Sequence, residues 1–375
     1  MKHNLTDSQN GKVFNISLSG NKVITESGKP GKTKETEKEF ANEKEAAIFF
    51  EKKEWEMLKK GFLMKNPEAS EFEPMLHYFM GSGYTGCLSL VNIGDSFAVY
   101  ELTGDKNSYK FDCLQFIDNQ GILLNRIELP KVFPWAMLWH KEKNLLFIDL
   151  DHFIYSYNIG NNTFTKLTDT FVQPGSFISM SEKRIAFGAD PKIYVLDLDT
   201  NKILFEQEVK SELYSGHSTQ FKGGISKNGK KLAICTHSGL INIHDIDTGK
   251  TEILNGDFQM VEAIEFIDND KVLLLKEKYG SWGFRFFSIA TKEELSFPGL
   301  KIPKNETLVN HFAINEDATK LVAIQYKTAY LFDLLTKQFL NSFDLSHIVR
   351  TAKPAFGKGC IGFRTDYGCF SVYKI

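Results

Sequence analysis

Residues 192–209 read KIYVLDLDTNKILFEQEV, and residues 240–256 read LINIHDIDTGKTEILNG. Each is an apolar strand, a polar turn opened by Asp, and a second apolar strand. The pattern returns as TAYLFDLLTKQFLNSF at 328–343, and more weakly as FIYSYNIGNNTFTKLTD at 153–169 and GFRFFSIATKEELSFPG at 283–299. Anchoring on the residue before the Leu or Ile that ends the first strand gives 116, 158, 197, 245, 288, 333 and 374, a mean spacing of 43 residues. An earlier strand precedes each pair, as at 231–236 and 271–276. A period near 40–45 with four short strands per unit marks radially stacked sheets. One four-stranded meander cannot bury both of its faces, and stacking does this while leaving only short edges. Seven anchors therefore predict a mainly β chain with a seven-bladed β-propeller over residues 85–375. The last unit lacks an outer strand before Ile375, so Pro74–Met80 (PMLHYFM) is expected to close the ring.

The repeat resembles WD-repeat and YVTN-type propellers over about 290 residues. Gly216-His217 precedes Asp245 by a WD-like interval, with His244 in place of the Trp.

The first 65 residues have another rhythm, with 13 Lys against 10 acidic residues. Alternation from Val13 to Leu18 predicts a strand, Ser19–Lys22 a turn, and Val23–Glu26 a returning strand. Ser27-Gly28-Lys29-Pro30-Gly31 is expected to break the ladder, with a third strand from Thr36 to Phe40. Asn42 followed by Glu45 signals a helix start, and the helix is expected to run from about Glu43 to Lys60. Ala46, Ala47, Phe50, Met57 and Leu58 share its apolar face, flanked by Ile48 and Trp55.

This small α+β unit resembles the WGR domain. The resemblance rests on Gly20-Asn21-Lys22-Val23, Ser27-Gly28-Lys29-Pro30-Gly31, Glu39-Phe40, Glu45-Ala46 and Lys59-Lys60-Gly61-Phe62. It covers about one sixth of the chain. Ser27 stands where the family has Trp, and Lys29 where it has Arg. In the DNA-break-sensing members those two residues contact the nucleic-acid end. The resemblance thus implies Ser27, Gly28, Lys29, Lys32 and Lys34 as nucleic-acid contacts, without the stacking ring or the bidentate guanidinium. The expected organisation is a WGR-like domain over 1–66, a linker with the ring-closing strand over 67–84, and the propeller over 85–375.

Composition narrows the function classes. Apolar residues make up 42% and charged residues 25%, ordinary for a globular chain and unlike a disordered or disulfide-scaffold sequence. A net charge of -2 recruits neither nucleic acid nor an anionic membrane globally. The chain holds 40 Lys but only five Arg, a usage common in bacteria with AT-rich genomes. Five scattered Cys without a CxxC pair, no apolar leader and no membrane-length apolar run predict a cytoplasmic protein with reduced thiols.

No motif carries chemistry. Gly31-Lys32-Thr33 ends like a phosphate loop, but Glu26 occupies the required first glycine and no helix is expected to follow. Lys29, Lys32 and Lys34 form a cationic cluster, interrupted along the sequence by Glu35, Glu37 and Glu39. His217, His237 and His244 fall in one unit and read as hydrogen-bonded structural histidines, since no His/Cys spacing matches a metal motif. Asp149, Asp197, Asp245 and Asp333 recur at strand ends and read as turn formers.

The expected function is a non-catalytic interaction scaffold that binds a protein partner and needs no cofactor or metal. Its contact face is expected on the loops carrying Tyr214, His217, Tyr279, Trp282, Arg350, Arg364 and Tyr367, because aromatics and Arg dominate binding hot spots. The alternative is weak nucleic-acid binding through the WGR-like domain, with the propeller as regulator. A hydrolase or lactonase in the central channel is the third reading, and a buried carboxylate cluster or a metal at the channel mouth would favour it.

Overall fold

Burial on two faces or one decides how each strand reads. The structure is a computed structural model; it describes all residues except 8, 82–87, 102–111, 131–135, 173–175, 190, 210–221, 238–239, 280 and 303–308. Six separate four-stranded antiparallel sheets follow one another along the chain. The first is built from Leu90–Asn92, Ser96–Glu101, Cys113–Asp118 and Leu123–Glu128; the sixth from Val309–Ile314, Lys320–Gln325, Thr328–Asp333 and Gln338–Asp344. Each sheet is a meander in chain order, and first strands of neighbours meet, as Lys222–Ile225 does Met260–Ile267. The chain is a β-propeller.

Second strands such as Leu145–Leu150 and Lys320–Gln325 are buried almost throughout, which is why they read as continuous apolar runs rather than alternating ones. Outer strands such as Leu123–Glu128 are largely exposed. Between sheets the core is apolar, with Ile267, Leu274, Leu321 and Phe332 packing across one seam and Ala98, Leu114, Leu146 and Ile148 across another. From 158 onward, each repeat anchor is the last residue of its sheet's third strand; the first anchor, Phe116, falls inside Cys113–Asp118.

Seven separate blades were expected, and the described residues form six. The strands of the last unit, Ala352–Gly357, Cys360–Thr365 and Cys369–Lys374, belong instead to a nine-stranded sheet. That sheet continues through β6 (Pro74–Phe79) and β5 (Leu63–Lys65) into β1 (Lys2–Asp7), β2 (Lys12–Ser19), β3 (Lys22–Lys29) and β4 (Lys32–Glu39). β6 pairs antiparallel with Cys369–Lys374, with Phe370 opposite Tyr78 and Ser371 opposite His77. On its far edge β6 pairs with β5, so hydrogen bonding runs unbroken from the ring into the N-terminal strands. The ladder continues because β6 has two usable edges and both are occupied. Ala352–Gly357 in turn contacts the first strands of the sixth and first sheets.

At the N-terminus, β1 was not expected. The break expected at Ser27–Gly31 is a tight hairpin turn at Pro30-Gly31, with β3 running through Lys29 and β4 starting at Lys32. Gly28 permits this, because a Cβ there would lie 2.2 Å from the Lys32 carbonyl oxygen. Helix α1 (Glu43–Leu58) is capped by Asn42, whose Oδ1 accepts the Glu45 amide at 2.9 Å. Its buried positions Ala46, Phe50, Glu54 and Leu58 recur every four residues, joined by Trp55, whereas Ile48 is exposed. Among the described residues no helix is long and apolar enough to cross a membrane.

Candidate functional site

The third residue of that helical stripe, Glu54, is acidic and 1% exposed. A buried carboxylate needs donors, because desolvation without them is costly. Two imidazoles supply them. His3 on β1 places Nδ1 2.6 Å from Oε1, and His347 places Nε2 2.8 Å from Oε2. Burial alone would raise the Glu54 carboxyl, but the hydrogen bonds from His3 and His347, with the nearby His77 ring, hold it well below the usual carboxylate range.

His77 on β6 completes the cluster. Its ring lies 5.1 Å from that of His347 and 6.0 Å from that of His3. Its Nδ1 meets Ser371 Oγ at 2.8 Å, while its buried Nε2 has no hydrogen-bond partner. Burial pushes this imidazole down to about 3, so it is neutral near pH 7. Ligand atoms of Glu54, His77 and His347 lie within 4.8 Å of one another.

The loop carrying His347 is tied down from two sides. Thr365 Oγ1 donates to the His347 carbonyl at 2.6 Å. The Asp366 carboxylate accepts the amides of Val349, Arg350 and Thr351 at 2.8, 2.8 and 3.2 Å. His347 itself sits at φ 52, a left-handed conformation that costs a non-glycine residue about 1–2 kcal/mol. Trp55 stacks on His347 at 5.1 Å and on Tyr367 at 4.6 Å. Tyr367, expected to face a partner, stacks on Trp55 while remaining 39% exposed.

Arg364 corrects the expectation. It lies on Cys360–Thr365, is 0% exposed, and donates to the carbonyls of Tyr100, Thr365 and Met80 at 3.3, 3.1 and 3.3 Å. Its guanidinium fork satisfies three buried backbone acceptors inside the ring, so it is structural. Arg350 is exposed. Tyr279 and Trp282 fall at the tip of the hairpin Val272–Tyr279/Ser281–Ser288, where Lys278 pairs with Trp282. Tyr214 and His217 lie outside the described residues.

Among the other histidines, His244 is held through Nδ1 by Thr251 Oγ1 at 2.9 Å, a structural role; the side chain of His237 lies outside the description. Asp197 caps its turn by accepting the amides of Asp199 and Thr200, and Asp245 and Asp333 do likewise. Asp149 departs from this group. It sits inside Leu145–Leu150, is 5% exposed, and burial pushes its carboxyl up to about 7.

The β3–β4 hairpin corrects the charge reading. Lys29 pairs with Lys32, Ser27 with Lys34, and Val23 with Lys38. Strand alternation therefore places Lys29, Lys32, Lys34 and Lys38 on one face, the one that carries buried Val23 toward α1. Glu26, Glu35, Glu37 and Glu39 lie on the other face. The acidic residues that interrupt the lysines along the sequence do not interrupt them in space. Thr33 is in a strand rather than at a helix N-terminus, so Gly31-Lys32-Thr33 is no phosphate loop.

No family model matches the chain, and no curated protein matches it. Solved structures do. One is a chain of the crystal structure of the mitotic checkpoint complex, 11% identical, with a TM-score of 0.60, covering 83% of this chain and 96% of that one. The likeness is one of fold, and it agrees with the blade topology: this chain is built as a β-propeller.

Proposed function

We propose that the chain is a non-catalytic scaffold whose propeller presents a docking point for a protein partner. The observation that carries this is the middle hairpin of the fifth sheet. Its two strands are eight residues each, against six each in the sixth sheet, and its tip holds Tyr279 and Trp282. Tyr and Trp are residue types that supply contact area at low conformational cost. The inner four strands of the nine-stranded sheet are read as the closing blade of a seven-bladed ring, with the N-terminal unit fused to its outer edge. Replacing Tyr279 and Trp282 by Ala is expected to abolish capture of the partner retained by the native protein, with thermal stability unchanged. Retained capture, or a variant that melts early, overturns the assignment.

A second reading is favoured by the lysine-bearing, acid-free face of the β3–β4 hairpin in the WGR-like unit. Four lysines without an intervening acid can track a phosphate backbone, although point charges do not clamp a strand end as a guanidinium fork does. Binding to duplex DNA is expected to be weak, sequence-independent and steeply salt-dependent, and to disappear in Lys32→Glu/Lys34→Glu. A gel-shift titration at physiological salt tests it. Tight, end-preferring binding would contradict the expectation drawn from Ser27 and Lys29.

A further inference from the structure

We propose that Glu54, His77 and His347 form a binding site for one divalent transition-metal ion of the zinc type, which staples the N-terminal unit to the propeller. Two imidazole nitrogens and a carboxylate oxygen are donors that zinc accepts readily. In a tetrahedral zinc site the ligands lie about 2.0–2.2 Å from the metal, hence roughly 3.3–3.6 Å apart. The three ligand atoms lie within 4.8 Å of one another, with His347 Nε2 2.8 Å from Glu54 Oε2, so the site assembles when the widest separation closes by roughly 1.2–1.5 Å and the hydrogen-bonded pair opens by roughly 0.5–0.8 Å.

Two further observations point to a ligand. The Nε2 of His77 is buried without a hydrogen-bond partner, although its Nδ1 is fixed by Ser371. Leaving a buried polar atom unsatisfied is costly, and a metal bond would remove that cost. His347, meanwhile, is held in a left-handed backbone conformation by Thr365 and Asp366, the kind of local strain found where a side chain must be aimed.

The surroundings have the layout of a metal site's supporting shell. His3 holds the other oxygen of Glu54 and orients the carboxylate. Coordination through His347 Nε2 would replace its hydrogen bond to Glu54 Oε2. Cys369 Sγ approaches His77 at 4.0 Å, but on the Nδ1 side already engaged by Ser371, so the ligand set contains no sulfur. All three ligands are 6% exposed or less, which suits a structural ion rather than a catalytic one. They come from α1, from β6 and from the loop before Ala352–Gly357, segments that meet only in the folded chain. Binding is therefore coupled to docking of the N-terminal unit.

The test uses the full chain stripped with a chelator and titrated with Zn2+ and Co2+. Expected are one equivalent bound, a higher melting temperature, tetrahedral visible bands with Co2+, and a zinc X-ray absorption shell of nitrogen and oxygen only. His77→Ala and His347→Ala are expected to lose more than the roughly 10–100-fold in affinity that supporting residues cost, whereas His244→Gln binds as the parent does. If the alanine variants fail to fold, the absorption spectrum of the unaltered chain decides. No bound metal with an unchanged melt, sulfur in the shell, or full binding by folded His77→Ala each overturns the proposal. The cluster would then be a hydrogen-bonded carboxylate lock.

Discussion

The seam between the fifth and sixth sheets and the seam between α1 and the ring are both built around buried side chains, and they are made of opposite materials. At the first, Ile267, Leu274, Leu321 and Phe332 interdigitate with no polar partner to find. At the second, Glu54, His3, His77 and His347 meet beside Trp55, Phe79 and Tyr367. Apolar packing is non-directional and tolerates volume-conserving exchange, which suits a unit repeated around a ring. A buried carboxylate accepts only donors at the right place and angle, so the second seam permits one docking geometry. Repetition needs the first kind of seam; a single attachment point uses the second.

The largest effect is expected from Glu54→Ala. It leaves imidazole donors buried without an acceptor and should cost about 3–5 kcal/mol, the range for breaking a buried pair. Glu54→Gln, which keeps an acceptor, should cost less; equal costs in urea unfolding would show that directionality contributes nothing at this seam. Next, Leu274→Ala, at 0% exposure, should cost about 2–5 kcal/mol through lost transfer energy and a cavity, and Leu274→Met under about 1.5. A large penalty for Met would break the claim that blade seams tolerate exchange.

The two arginines form a sharper pair. Arg364→Ala strands three buried carbonyls and should cost about 2–3 kcal/mol, whereas exposed Arg350→Ala should stay within about 0.5. Similar melting for both would overturn the structural assignment of Arg364. The last effect is pH-dependent. Asp149 has its carboxyl raised to about 7, above the ordinary 3.8, so the folded state binds the extra proton between these values. Its contribution is present below about pH 4 and lost as pH rises through 7, with a slope of up to about 1.4 kcal/mol per pH unit. Asp149→Asn should flatten that part of the stability profile; an identical profile in both proteins would mean that the carboxyl is ionised throughout.

Much of the architecture is legible locally. The third-strand ends, the Asp-led turns and the Asn42 cap follow from patterns a few residues long, where alternation and capping act. The candidate site is not, because its members stand at 3, 54, 77 and 347 and no spacing rule links them. One signal was available: an acidic residue at the third position of the stripe Ala46, Phe50, Glu54, Leu58 is out of place on an apolar face unless a partner waits there. The lysine face was legible too, had period 2 been applied to Lys32–Glu39 rather than the running order of charges. β1 was missed because KHNLTD alternates polar with polar, and only His3, Leu5 and Asp7 turning inward makes it a strand of the sheet.

By itself, then, the sequence determines the repeat, the stacking of sheets and the boundaries of α1, since these depend on side-chain periodicity and nearest-neighbour turns. Tertiary structure alone decides that β6 uses both of its edges, that Arg364 is interior while Arg350 is not, and that one carboxylate meets three imidazoles. Those outcomes depend on which distant segments share a surface, and burial there changes the chemistry of residues that would be ordinary in water.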